Sequence, residues 1–245
     1  MNENKALVSH FGDLKRTMII CLMITAAGSV AAYYFFGNRI MEFLTAGLCA
    51  KGVPLIYTSV TESFATEMKV GLIAGAICTF PVDAIVIWSF IFPALFREEK
   101  KKAIMYTTVS MILFVAGILF GYFILFPFVL DFFLSSCTGN ITAMISIDSY
   151  ISFLCRLILP FGLIAEIPLV EMLLITHDIV SIKRLGKLRK YVFLVCVIMG
   201  AVLTPPDVVS QLCVALPMYV LFECGIIAGR IMKNNKYKKE KQKNE

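Results

Sequence analysis

The sequence predicts an all-α integral membrane protein with six transmembrane helices and both termini in the cytoplasm. Three observations predict it: a composition too apolar for water, six apolar segments separated by polar punctuation, and basic residues gathered on alternate loops. Of 245 residues, 59% are hydrophobic and 16% charged, with a mean hydropathy of +0.82. A soluble domain carries about 25% charged and about 45–50% apolar residues. Disorder is excluded by the same values, since disordered chains are poor in apolar residues. A net charge of +6 would suggest nucleic acid in a soluble protein. Here the basic residues flank apolar runs, where they set topology, and no nucleic-acid partner is expected.

The first span is placed at 18–36, long enough for a hydrocarbon core of about 30 Å. Its basic flank (Lys15, Arg16) and Ala27-Gly28-Ser29 also fit a cleaved leader. The apolar run is longer than the about 7–15 residues of a leader's apolar region, so an uncleaved span is expected. The second span, about 70–92, ends at Pro93. The third is set at 104–126. The chain stays apolar to Phe133, but Pro127 is expected to mark where the embedded part ends. The fourth, 151–176, contains Arg156, Pro160, Glu166, Pro168 and Glu171. The fifth, about 191–204, is short, and its 13 apolar residues Tyr191–Leu203 make about 20 Å of helix. Thr204-Pro205-Pro206-Asp207 must turn, because two prolines stop the hydrogen-bond ladder. The sixth, about 208–228, carries Gln211, Pro217 and Glu223. A re-entrant hairpin or a short span in a thinned bilayer would both suit segments five and six.

Nineteen of the 23 basic residues fall in four stretches: up to Arg16, Arg97–Lys102, Lys183–Lys190, and from Arg230 onward. Only Arg39, Lys51, Lys69 and Arg156 lie elsewhere. Positive charge accumulates on cytoplasmic loops, so both termini are inside and the number of crossings is even. The outside loops, 37–69 and 134–150, are long, and the first is expected to hold short helical structure. The chain reads as a single membrane domain, 1–245, with a basic cytoplasmic tail at 233–245 that suits contact with anionic lipids.

Cys21, Cys78, Cys155, Cys196, Cys213 and Cys224 lie in apolar runs, where thiols behave as small hydrophobes. Cys49 and Cys137 fall in outside loops, and the sequence leaves open whether they pair. With no CxxC, and His10 and His177 alone at cytoplasmic edges, neither a metal nor a cofactor is expected. The chain lacks GxxxxGK[ST], HExxH and GxSxG. An enzyme is therefore not expected.

Acids inside a membrane are expensive and by default functional. Glu166 lies deep in the fourth segment between Pro160 and Pro168, which bend a helix and free its carbonyls. The bland alternative is a protonated glutamate hydrogen-bonded to a neighbouring helix. Glu171, five residues on, faces elsewhere and is close enough to the inner surface to reach headgroups. Asp83 suits a polar partner within the bundle, and Glu223 a snorkelling or interhelical role. In the cytoplasmic stretches Asp13, Glu98 and Glu99 sit among basic residues, either neutralised by nearby lysines or kept for a cationic ligand.

The local motifs bear a family resemblance. His10-Phe11-Gly12-Asp13-Leu14-Lys15 resembles the opening HLxELR pattern of the TatC family, the multispanning subunits of the twin-arginine protein translocase. Trp88 to Phe96 followed by Glu99-Lys100-Lys101 is similar to that family's second-span exit and first cytoplasmic loop. Phe120-Gly121-Tyr122-Phe123 with Phe126-Pro127 is similar to its third span. Tyr150-Ile151-Ser152-Phe153, Phe161-Gly162 and Glu166-Ile167-Pro168 resemble its fourth. Leu188-Arg189-Lys190-Tyr191, Leu203-Thr204-Pro205-Pro206-Asp207, Ser210-Gln211, Pro217-Met218 and Phe222-Glu223 resemble its closing hairpin.

The resemblance implies a concave arrangement of spans and a receptor for signal peptides bearing adjacent arginines, exporting folded proteins on the proton-motive force. His10, Phe11, Asp13, Leu14, Lys15, Phe90, Pro93, Glu98 and Glu99 would form the arginine-recognition surface, with Asp13 and Glu99 as the carboxylates. Tyr122, Glu166 and Pro168 would line a membrane groove. Thr204, Pro205, Pro206, Asp207 and Gln211 would meet the single-span partners TatA or TatB. Other copies of the chain and membrane lipids are the remaining implied partners. The chain departs from the pattern with Asp13 for Glu, Lys15 for Arg, Gly47 for proline and Ala165 for Phe, and it adds Asp83 and Glu171.

Two other classes fit part of the sequence. A small ion- or proton-coupled secondary transporter would use Asp83, Glu166 and Glu171 as a relay, and would usually carry inverted repeats, which are not seen. An assembly subunit would keep the fold without binding arginine peptides.

Overall fold

The computed structural model describes residues 2–49, 53–95, 100–135, 144–205 and 207–243. Helices dominate: α1 (Asn2–Cys49), α2 (Val60–Leu95), α3 (Lys100–Phe120), α4 (Phe126–Ser135), α5 (Ile147–Ile164), α6 (Ile167–Thr176), α7 (Ile182–Leu203) and α8 (Val208–Lys243). A five-residue π-helical segment, Gly121–Leu125, joins α3 to α4, and two short strands, β1 (Leu55–Ile56) and β2 (Ile145–Ser146), pair in parallel. Among the described residues, five stretches are long and apolar enough to cross a membrane: Leu14–Leu48, Val60–Phe90, Ile104–Ser135, Ile147–Thr176 and Val208–Asn235. The chain divides into two compact units, residues 1–111 with 140–155, and 112–139 with 156–245.

In the first unit, α1 and α2 form an antiparallel hairpin whose backbones come unusually close. A β-carbon at Gly75 would lie 2.2 Å from Ser29 Cα, one at Gly28 2.2 Å from Thr79 Cγ2, and one at Gly71 2.6 Å from Tyr33 Cβ. Small residues suit such a seam, because lipid gives helices no hydrophobic reason to associate and close dispersion contact must do so. Polar bonds cross it: Thr25 Oγ1 donates to Asp83 Oδ2 at 2.9 Å, and Ser29 Oγ to the Leu72 carbonyl at 3.0 Å. The far face of α1 exposes Met23 and Tyr34, as a lipid-facing surface should. The helix that carries the span placed at 18–36 continues to Cys49, since no proline interrupts it. The helical structure expected in the first outside loop is thus an extension of α1.

Glu62 ties the segment before α2 to the segment before α5. At the start of α2 its Oε2 accepts from the Ser59 and Thr58 amides, the glutamate half of a capping box. Its Oε1 accepts from the Asp148 amide and the Ser146 hydroxyl, beside the β1–β2 pair. Lys69 bonds both Asp148 and Ser152, and the Tyr150 hydroxyl donates to the Leu44 carbonyl at 2.9 Å.

In the second unit the helix does not stop at Pro127 but runs on to Ser135. The π segment absorbs the proline. There the Phe126 amide reaches back to Gly121, so the local ladder is already shifted by one residue where Pro127 has no N–H to offer. The basic stretch before residue 191 is helical too, because Ser181 caps α7 by accepting from the Arg184 amide. A core of Ile175, Leu185, Phe222 and Ile226 holds α6, α7 and α8 together.

Candidate functional site

Residues 10–16 and the end of α2 are neighbours by register. Thr25 faces Asp83, so Asp13, twelve residues before Thr25, stands level with Leu95, twelve after Asp83. Residues 10–16 and 90–95 therefore share one end of the hairpin. Leu14 and Lys15 are exposed there, and Phe90 is half-buried. His10, Phe11, Asp13 and Pro93 are placed on their helices by backbone alone. Glu98 and Glu99 lie outside the described residues, as do Cys137 and Pro206.

Glu166 occupies a break between two helices. α5 ends at Ile164 and α6 starts at Ile167, and Glu166 sits between them as the cap residue of α6. Pro168 is in the first turn of α6, where its missing N–H has no helical partner to lose. The Glu166 carbonyl accepts from Leu169 and Val170, and Glu166 is a half-buried residue whose carboxyl Oε1 is fully enclosed. Beside it, Ala165 lines an apolar cavity of about 570 Å³ together with Gly117, Phe120, Phe161, Pro217 and Leu221. A β-carbon at Gly117 would lie 2.6 Å from Ala165 Cβ, so the helices meet too closely here for a larger side chain at 165 without rearrangement. Tyr122 belongs to the π segment, its ring edge-on to Phe123 at 4.9 Å.

Glu171 is buried rather than turned to headgroups. It packs on α8 where Gly225 leaves a notch; a β-carbon there would lie 2.1 Å from Glu171 Oε2. Glu223 is interhelical, accepting from Arg189 Nη2 at 2.8 Å and from the Tyr219 hydroxyl at 2.9 Å.

The closing hairpin uses its polar residues internally. Thr204 caps α7, its amide and hydroxyl both donating to the Gly200 carbonyl. Asp207 Oδ2 accepts from the amides of Val209 and Ser210, both at 3.0 Å, as an N-cap aspartate does. Gln211 Nε2 crosses to the Val197 carbonyl at 2.9 Å, where Gly200 lets the two helices approach. Val202 and Val208, 70% and 68% exposed, present the apolar surface of this turn.

Residues 9–217 match the family model described as Sec-independent protein translocase protein (TatC). The chain belongs to the TatC family. It is 35% identical to the TatC of Desulforapulum autotrophicum over 98% of this chain and 90% of that one. It is 32% identical to the TatC of Escherichia coli over 94% of this chain and 90% of that one. A crystal structure described as the twin-arginine translocase receptor TatC superimposes with a TM-score of 0.84 at 34% identity, covering 91% of this chain and 99% of that one. TatC proteins are translocase components, not enzymes. Among the described residues, no cluster of His, Cys, Asp and Glu has the makings of a metal site.

The TatC motifs singled out Glu166, Asp207 and residues 10–15 from the sequence. They did not lead to Glu62, Lys69 or Asp148, which join the segments before α2 and α5. The Ser59-x-x-Glu62 spacing was the available signal for the first of these.

Proposed function

We propose that this chain is the receptor subunit of a twin-arginine translocase. It binds signal peptides at the cytoplasmic end of α1 and α2 and recruits single-span partners to export folded proteins on the proton-motive force. The observation that carries the reading is the α1–α2 register, which sets Asp13 level with the last turn of α2, four residues before Glu99. A carboxylate accepts a guanidinium fork bidentately, so Asp13 and Glu99 are the proposed acceptors for the two arginines. Lys15, Leu14, Phe90 and Glu98 complete the proposed surface, with His10, Phe11 and Pro93 shaping it.

In the same reading six spans cross the membrane with both termini cytoplasmic, α7 and the first part of α8 forming the short closing pair. Glu166, Tyr122 and Pro168 offer a groove to the apolar part of the signal peptide. The Thr204–Gln211 hairpin supports the partner helix: Thr204, Asp207 and Gln211 hold its shape, while Val202 and Val208 supply contact. The test is peptide binding to a Glu99→Ala variant. Its affinity for a twin-arginine peptide falls by about 1.5–3 kcal/mol, the scale of a charged hydrogen bond, while a twin-lysine peptide loses little. Equal losses for both peptides would reduce Glu99 to general electrostatics.

A further inference from the structure

Asp83 is absent from the motifs that carry the TatC resemblance, and the recognition chemistry does not use it. It lies in the embedded part of α2, 8% exposed, and turns toward α1. Oδ2 accepts the Thr25 hydroxyl, while Oδ1 is buried with no partner among the described residues. An unmatched buried oxygen is unfavourable, and more so in lipid than in a water-filled site. The best-attested return on such a group is register, as when a single buried polar residue fixes how two helices align.

The seam of this hairpin has a register problem. On α2 the residues facing α1 recur every four positions, Gly71, Gly75, Thr79 and Asp83, against Thr25, Gly28, Ser29 and Tyr33. A seam of small residues with a four-residue repeat packs nearly as well after a slip of one turn, because each small residue is replaced by the next. The Ser29 bond does not prevent the slip, since its acceptor is a backbone carbonyl and every turn offers another. The Thr25–Asp83 bond does in the direction that would leave Asp83 beside Cys21, a weak donor. In the other direction Asp83 could recover a hydroxyl only from Ser29, which would have to release the Leu72 carbonyl. Asp83 is the last member of the row and no other carboxylate stands one turn away on α2.

A one-turn slip displaces one helix along the other by about 5.4 Å. That is roughly twice the 2.7–2.9 Å reach of a charge-assisted hydrogen bond. The start of α1 and the end of α2 would then no longer stand level, and residues 10–16 would shift along residues 90–95. We infer that the Thr25–Asp83 hydrogen bond pins the α1–α2 register and so positions the arginine-recognition surface. This rests on the recognition reading above. Both residues are positioning residues that touch no part of the peptide.

The test uses the full chain in lipid nanodiscs. Spin labels carried by keto amino acids at Met18 and Met68, both exposed and well separated along the hairpin, report axial slip and leave the native cysteines unmodified. Unlabelled samples of the same variants report binding of twin-arginine and twin-lysine peptides. Thr25→Val and Asp83→Ala each move part of the distance distribution by about 5 Å. Each also weakens the twin-arginine peptide about tenfold while sparing the twin-lysine peptide, and the double variant is no weaker than either single one. Asp83→Asn and Thr25→Ser keep acceptor and donor, and hold both the distance and the affinity. An unchanged distance in Thr25→Val and Asp83→Ala overturns the pin, and so does a slip in Thr25→Ser. A slip that leaves arginine preference intact overturns the positioning role. If Glu99→Ala also leaves that preference intact in an unslipped hairpin, it is the recognition reading that fails, and the distance data still judge the pin.

Discussion

Glu166 marks the point where the membrane helix breaks, and its surroundings give its carboxyl a physical task. An isolated charge at that depth costs several kcal/mol, so a neutral or hydrated carboxyl is favoured. Such a group serves an incoming helix by hydrogen bonding. Glu166→Gln keeps that capacity and retains most export of a twin-arginine substrate at matched membrane levels, whereas Glu166→Leu loses it. Activity of the Gln variant as low as that of the Leu variant would show that titration is what matters, because an amide cannot carry a proton. This residue was legible in the sequence, since Pro160 and Pro168 announce the break around it. Glu62 was only half legible. Ser59-x-x-Glu62 signals a helix start, but its bonds to Ser146 and Asp148 join residues more than eighty positions apart, which no local pattern encodes. The burial of Glu171 was not legible, because the notch that receives it is made by the missing side chain of Gly225, on another helix.

At the scale of the element, two glycines with identical helical propensity separate packing from conformation. A β-carbon placed on Gly186 of α7 would meet nothing within 4 Å, whereas at Gly75 that atom would lie 2.2 Å from the Ser29 backbone. Alanine at Gly186 removes chain entropy from the unfolded state and stabilises by about 0.5–1 kcal/mol. Alanine at Gly75 forces α1 and α2 apart and destabilises by about 1–3 kcal/mol. Thermal unfolding of the two variants in one detergent distinguishes them: the midpoint rises for Gly186→Ala and falls for Gly75→Ala. A rise for both would mean that the α1–α2 seam is looser than its geometry indicates. Hydropathy located every apolar stretch, but it could not set the helix limits. The extension of α1 to Cys49, the helical basic stretch of α7 and the passage through Pro127 depend on caps and on a π turn, which hydropathy does not register.

For the whole molecule, sequence and structure contributed different things. Family and membrane class followed from composition, the order of motifs and the closing TPPD turn, because each is local or summed over the chain. The pairing of α1 with α2 did not, since it rests on where small residues of one helix meet those of another. That pairing is what brings the N-terminal stretch level with the end of α2, and it joins the charge pattern of the loops to a single claim: this chain reads adjacent arginines from the cytoplasmic side. Sealed membrane vesicles of both orientations, loaded with the full chain and offered labelled peptides, test that claim directly. Inside-out vesicles should retain a twin-arginine signal peptide at least about tenfold better than its twin-lysine counterpart, and right-side-out vesicles should retain neither. Equal retention of the two peptides by inside-out vesicles, or arginine-selective binding to right-side-out ones, would contradict it.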